Sequence, residues 1–208
     1  MGSSRGNMMP VISKEFCSSS EVVFVVRKRP HVVTGGGFVV TDCRSQNVVF
    51  RVEGCGILGK KDELLLRDGD GDPLLLIRRK GGLVEALSIY RQWRGYSTLE
   101  YEKSQKPVFR VKEPNYSCII NPNQIKISID ARAYNNHNQD FEIKGYFPDR
   151  ACSIMDSKGI VIAKVGVKEG LVANNDMYNV LVKPGVDQAF VFGVIAVLDY
   201  IYNGSTIC

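Results

Sequence analysis

The chain has no C-x-x-C pair and only two histidines, His31 and His137. A zinc site of the usual ligand spacing and a redox dithiol are therefore both excluded. Its six cysteines (17, 43, 55, 118, 152 and 208) stand far apart with no secretory signal before them. They read as reduced thiols of a cytoplasmic protein rather than a disulfide framework, and the sequons at Asn115 and Asn203 are discounted with them. No G-x-S-x-G is present, and neither histidine has an acid at a suggestive spacing, so nothing marks a nucleophile. The expectation is a protein that is not an enzyme and needs no cofactor. The formal charge of +5 over 208 residues is too mild for a nucleic-acid arm, and no zinc-finger, RNP or helix-turn-helix pattern accompanies it. Lipid signals are missing too: Gly2 is followed by Gly6 where myristoylation wants Ser or Thr, and Cys208 ends the chain without a prenylation box.

What is present begins with one run, AFVFGVIAVL, Ala189 to Leu198, without a polar side chain. Wound as a helix it spans roughly 15 Å, against ~30 Å of bilayer hydrocarbon. Extending it brings in Asp187, Gln188 and Asp199, and each Asp would cost about 3 kcal/mol in lipid. A helix apolar on all faces and too short to span must be a buried one. Length argues against a strand, because the segment Gly185 to Tyr202 far exceeds usual strand lengths. Asp187 supplies an N-cap, and Gly204 is placed as the C′ residue. The reading is a core helix over about 185–202, with Ala189, Phe190, Phe192, Ile195 and Leu198 among its core positions. Asp199 is the oddity, since an acid in the last turns opposes the helix dipole. It is expected at a mouth of the fold, paired with a Lys or Arg or capping backbone amides.

The remainder reads as short strands divided by turns. Ile125, Ile127 and Ile129 share one face; so do Phe141, Ile143, Gly145 and Phe147, and Val48, Phe50 and Val52. Such alternation marks antiparallel strands covering a core on one side. A strand, an Asp-containing turn and a second strand recur at 38–52, 64–79 and 152–165, the first copy without a turn glycine and so with a wider loop. About twelve strands precede the helix. An eight-stranded barrel is filled by its own side chains, whereas about eleven or twelve strands enclose a helix. The fold predicted is mainly β, a closed antiparallel barrel of about twelve strands around a hydrophobic C-terminal helix. Residues 1–20 read as a polar, flexible tail and 21–208 as a single domain.

Two motifs invite ligands and fail on their context. Gly54-Cys55-Gly56-Ile57-Leu58-Gly59 fits G-x-G-x-x-G, but a dinucleotide fingerprint needs a helix next, and a charged turn and a strand follow. Asp68-Gly69-Asp70-Gly71-Asp72 is reminiscent of a calcium loop, but Pro73 and Arg79 stand where the loop needs Gly and a bidentate Glu. Both read as turns. The remaining surface feature is three basic clusters: Arg27, Lys28 and Arg29; Lys60 and Lys61; Arg78, Arg79 and Lys80. They are the candidate residues for an anionic lipid or phosphate, worth ~1 kcal/mol per charge at an anionic membrane. The plainer alternative is solvated charge at strand ends.

The segment Asp176 to Phe190 running into VIAVLD (194–199), the hairpins at 38–52 and 64–79, the Trp93 region and the unit beginning Cys152-Ser153-Ile154 together resemble the plant LURP-one-related proteins. The resemblance covers nearly everything from about residue 22. It implies a twelve-stranded barrel around a C-terminal helix, of the tubby C-terminal-like kind shared with phospholipid scramblases. It also implies phosphoinositide-dependent tethering at a membrane surface, an association of some members with plant defence, and a location peripheral to the plasma membrane or in the nucleus. No residue of the tubby lipid site transfers, because no local motif aligns with it, and scramblase activity does not transfer either. The function expected is a non-enzymatic binding module. The alternatives are a small-ligand carrier or enzyme using a pocket at a barrel mouth, and a scaffold for protein partners.

Overall fold

The structure, a computed structural model, describes residues 10–29, 36–54, 62–80, 90–99, 106–114, 125–129, 140–167, 176–202 and 204–206. Its strands are β1 (Val22–Lys28), β2 (Phe38–Asp42), β3 (Val48–Glu53), β4 (Glu63–Asp68), β5 (Pro73–Arg79) and β6 (Tyr90–Ser97). They continue as β7 (Phe109–Pro114), β8 (Lys126–Ile129), β9 (Asp140–Tyr146), β10 (Ala151–Asp156), β11 (Val161–Gly166) and β12 (Met177–Val182), and helix α1 (Gln188–Ile201) follows. Each strand is antiparallel to its sequence neighbour, and β1 pairs with β12 from Val22 opposite Val182 to Arg27 opposite Met177. That seam closes the barrel.

Alternation decides what faces inward. Phe24 and Val26 on β1, Phe50 and Val52 on β3, and Tyr178, Val180 and Val182 on β12 are all buried. The leucine-rich hairpin β4–β5 does not alternate, and Leu64, Leu65, Leu66 and Leu75 are fully buried. Inside lies α1, every residue of it from Gln188 to Asp199 buried. Phe192 meets Phe24 edge-on at 5.2 Å and Phe50 at 5.4 Å, while Phe190 meets Phe109 at 5.5 Å and Phe141 at 5.4 Å. Ring pairs at these spacings add ~0.5–1.5 kcal/mol each beyond the area they bury. The helix runs 188–201, inside the predicted 185–202, because Pro184 and Gly185 form the turn that redirects the chain from β12 into the barrel.

Both helix ends are held by specific bonds. Asp187 is the N-cap: its Oδ1 accepts from Phe190 N at 3.1 Å, and its Oδ2 accepts from Ile12 N at 2.6 Å and Ser13 N at 3.2 Å. Residues 10–17, assigned to the polar tail by sequence, are therefore laid across the barrel end where the helix begins. Val11, Ile12 and Phe16 pack on the core there, with Phe16 against Phe50 at 5.5 Å. At the other end the C-cap is Tyr202, and Gly204 N donates to Asp199 O at 2.6 Å. Gly204 is thus one residue beyond its predicted place, at C″, where the longer bond of a Schellman closure forms.

The three Asp turns gather at the helix-entry end. Asp42 Oδ1 accepts from the amides of Arg44 and Ser45, Asp68 Oδ1 from Asp70, Gly71 and Asp72, and Asp156 Oδ1 from Lys158 and Ile160. The first loop, 43–47, is wider than 69–72 and 157–160 by one residue, as predicted. Where the others place Gly71 (φ 100°) and Gly159 (φ 78°), Gln46 takes a φ of 62°.

Candidate functional site at the helix C-terminal mouth

Odd-numbered strands end at the opposite rim, where α1 also ends, so every basic cluster that closes an odd strand meets the helix C-terminus. The inward side of the alternation carries polar side chains into this last layer: Lys28 follows Phe24 and Val26 on β1, Arg79 follows Leu75 and Ile77 on β5, and Glu113 follows Phe109 and Val111 on β7. The mouth divides into three sectors.

On the β2–β3 side the chain after α1 folds back over the rim. Gly37 N donates to Ser205 O at 2.5 Å, and Thr206 is fully buried. A Cβ on Gly54 would lie 2.4 Å from Thr206 O. The first glycine of the G-x-G-x-x-G stretch is there for that close approach; its other residues lie outside those described. On the β4–β7 side charge is paired. Arg79 meets Asp62 at 3.2 Å, and Asp62 accepts from the Tyr200 hydroxyl. Arg91 stands 3.8 Å from Glu113, which accepts from Trp93 Nε1 at 3.4 Å. Burial, reinforced by Asp62, raises the Tyr200 hydroxyl to about 12.

The third sector, along β9, β10, β12 and β1, is left uncovered by the described residues. A cavity of ≈ 190 Å³ lies there, lined by Lys28, Phe147, Pro148, Arg150, Asp199 and Tyr202. Arg150 sits with its guanidinium carbon 4.2 Å from the Tyr178 ring centroid and 4.5 Å from that of Phe147. Asp199 is fully buried; its Oδ2 accepts from Thr206 N at 3.0 Å and Ser205 Oγ at 3.1 Å. Its predicted role as a cap on backbone amides at a mouth is what the structure shows. Its Oδ1 has no hydrogen-bond partner, and neither does the Tyr178 hydroxyl; among the described residues no other buried side-chain N or O atom stands so. Burial, and then Asp199, push the Tyr178 hydroxyl well above its ordinary range, so it stays a neutral donor. A second cavity of ≈ 340 Å³ lies at the wall beside the short strand β8, among Lys112, Lys126, Asp140 and Glu142. Among the described residues it holds no buried polar atom left unpaired.

The structure brings two of the predicted basic clusters to this rim. Arg27 is exposed, Lys28 lines the cavity and Arg29 is half-buried. None of the three has an ion-pair partner among the described residues. Arg78 is exposed and paired with Glu63 at 2.8 Å, Arg79 is paired with Asp62, and Lys80 is exposed. Lys60 and Lys61 lie outside the described residues, as do His31 and His137. The calcium-like stretch is a hairpin turn whose first carboxylate is taken up by three backbone amides. Arg150 and Tyr178 escaped sequence reading because neither belongs to a charge cluster. Extending the strand alternation one step past the last apolar residue would have flagged Lys28 and Glu113. No helix among the described residues is long and apolar enough to cross a membrane.

Comparison with known proteins decides the family. The LURP-one-related family profile matches residues 22–199. The chain belongs to the LURP-one-related family. It is 57% identical to Protein LURP-one-related 6 of Arabidopsis thaliana over 97% of this chain and 100% of that protein. It is 49% identical to LURP-one-related 16 of the same plant, over 96% of this chain and 95% of that protein. An X-ray structure of a protein from Arabidopsis thaliana superposes with a TM-score of 0.63, covering 95% of this chain and 99% of that one at 21% identity. At that identity the likeness speaks for the fold alone, and it agrees with the twelve-stranded barrel and its C-terminal helix.

Proposed function

We propose that this LURP-one-related protein is a non-enzymatic binding module that attaches peripherally to an anionic membrane surface, one bearing phosphoinositides, with the helix C-terminal mouth facing the lipid. One observation carries the reading: the clusters at Arg27–Arg29 and Arg78–Lys80, fifty residues apart in the chain, end on the same rim. Ion pairing with Glu63 and Asp62 discounts Arg78 and Arg79. Arg27, Arg29 and Lys80 remain, worth about 3 kcal/mol together at an anionic surface. Attachment is then weak and salt-sensitive, and takes place on the cytoplasmic face of the plasma membrane, with the nucleus as the other location. The association of some family members with plant defence belongs to the same reading as its biological setting.

Liposome flotation with and without phosphoinositides tests it. The wild-type chain floats with phosphoinositide vesicles at low salt and is released at high salt. A variant carrying Arg27→Glu, Arg29→Glu and Lys80→Glu loses flotation by roughly 100-fold or more. Equal recovery with neutral and phosphoinositide vesicles would overturn the proposal. A second reading, a carrier of small ligands, is favoured by the open cavity at the mouth.

A further inference from the structure

The open sector of the mouth poses a chemical problem that its own residues leave unsolved. Asp199 is fully buried with Oδ1 lacking a donor, and the buried Tyr178 hydroxyl, near enough to feel the Asp199 charge, lacks a partner as well. Each such group costs about 1–3 kcal/mol if it stays unpaired. Gly204 is part of the construction, because a Cβ there would fall 2.1 Å from Asp199 Oδ1. The same cavity is walled by two cations, Lys28 and Arg150, and no ion pair among the described residues joins either to Asp199. Arg150 is held in place by the two rings beneath it and by its Nη1, which donates to Phe147 O at 3.5 Å. Lys28 is turned inward by the alternation that buries Phe24 and Val26.

These features restrict what fits. A bare inorganic anion without a hydroxyl, such as sulfate, would satisfy the cations but set an acceptor against the Asp199 oxygen. A bare cation would satisfy Asp199 but meet Lys28 and Arg150. A wholly apolar ligand would leave all the polar groups unpaired. The cavity volume, ≈ 190 Å³, is the share of roughly six waters at ~30 Å³ each, so the occupant is small.

We infer that this cavity is a binding site for a small hydroxylated anion, with its acidic group on Lys28 and Arg150 and its hydroxyl donating to Asp199 Oδ1. This chemistry could come from a free hydroxy acid or polyol phosphate, or from the headgroup of a lipid. The inference stands apart from the membrane proposal, since its residues point inward and those tested by flotation point outward.

Malate and succinate are a matched pair of dianions that differ in one hydroxyl, and titration calorimetry on the full chain compares them. Malate binds at least roughly tenfold more tightly than succinate, because only malate supplies the donor that Asp199 lacks. Lys28→Gln weakens both by roughly tenfold, with an unchanged melting temperature showing that the barrel is intact. Asp199→Asn keeps an acceptor for Thr206 but turns an amide N–H toward the cavity, so the preference for malate over succinate disappears. Glycerol 3-phosphate added to the wild type competes with malate. If it also displaces phosphatidylglycerol vesicles, the lipid headgroup is the source; if vesicles are unaffected, a free small molecule is. Equal affinities for malate and succinate, or no heat from either at millimolar concentration, would overturn the inference.

Discussion

Single side chains in this protein do their work by satisfying backbone groups, and the substitutions that matter most are those that leave such groups bare. Asp68 accepts three amides in its turn, whereas Asp70 contributes its own amide to that arrangement and no side-chain bond is described for it. Asp68→Ala should therefore lower stability by about 1–2 kcal/mol and Asp70→Ala by less than ~0.5, read from urea midpoints. Gly204→Ala forces a methyl group onto the Asp199 carboxylate and should cost about 1–3 kcal/mol. The thiols are also set by their surroundings. Burial raises Cys152 to about 12, and burial with Asp187 raises Cys17 to about 11. Iodoacetamide at pH 8 should label Cys43 well ahead of both, with Cys152 reacting only as the protein unfolds. At this scale the Asp turns were legible, because turn chemistry is local. Arg150 was not, since its meaning lies in a cavity assembled from opposite ends of the chain.

Among the elements, α1 and the segment 10–17 that closes over its start form a coupled pair. The coupling is Asp187, buried and shared between the helix N-cap and the amides of Ile12 and Ser13. Burial raises its pKa above the ordinary carboxylate range against the lowering effect of those hydrogen bonds. The folded state therefore holds this proton more tightly than the unfolded chain. Stability contributed by Asp187 is greatest at low pH and falls as pH rises from the unfolded carboxylate pKa through the raised folded one. Asp187→Asn should remove that fall, seen as a flatter stability profile on the acid side, while losing about 1 kcal/mol because one side-chain oxygen can no longer serve both the helix cap and the amides of Ile12 and Ser13. Within the helix, Phe192→Ala removes a ring that touches Phe24 and Phe50 and should cost about 3–5 kcal/mol. The helix itself was readable from sequence, since a run without polar residues admits few environments. Its covering by residues 10–17 was not, because Val11, Ile12 and Phe16 are scattered through a Ser-rich stretch without periodicity.

Taken whole, the molecule has two unlike ends. The Asp turns of three hairpins crowd the end where α1 enters, and the strand-terminal arginines and lysines crowd the end where it finishes. Antiparallel topology makes this division: a turn type repeated in successive hairpins always returns to the same rim. Sequence reading reached the barrel because period-two alternation and strand count are properties of the chain. It reached the basic clusters because they are contiguous. It could not tell that Arg79 is neutralised by Asp62 while Lys28 has no ion-pair partner among the described residues, since that depends on which strands become neighbours at closure. All of these conclusions rest on α1 being the innermost and last part of the fold to open. Amide hydrogen exchange on the full chain measures this directly. The amides from Val191 to Leu198 should exchange only through global unfolding, at the same opening free energy as those of β1 and β12. Exchange in α1 at a markedly lower free energy than in the strands, with the barrel still closed, would contradict the account.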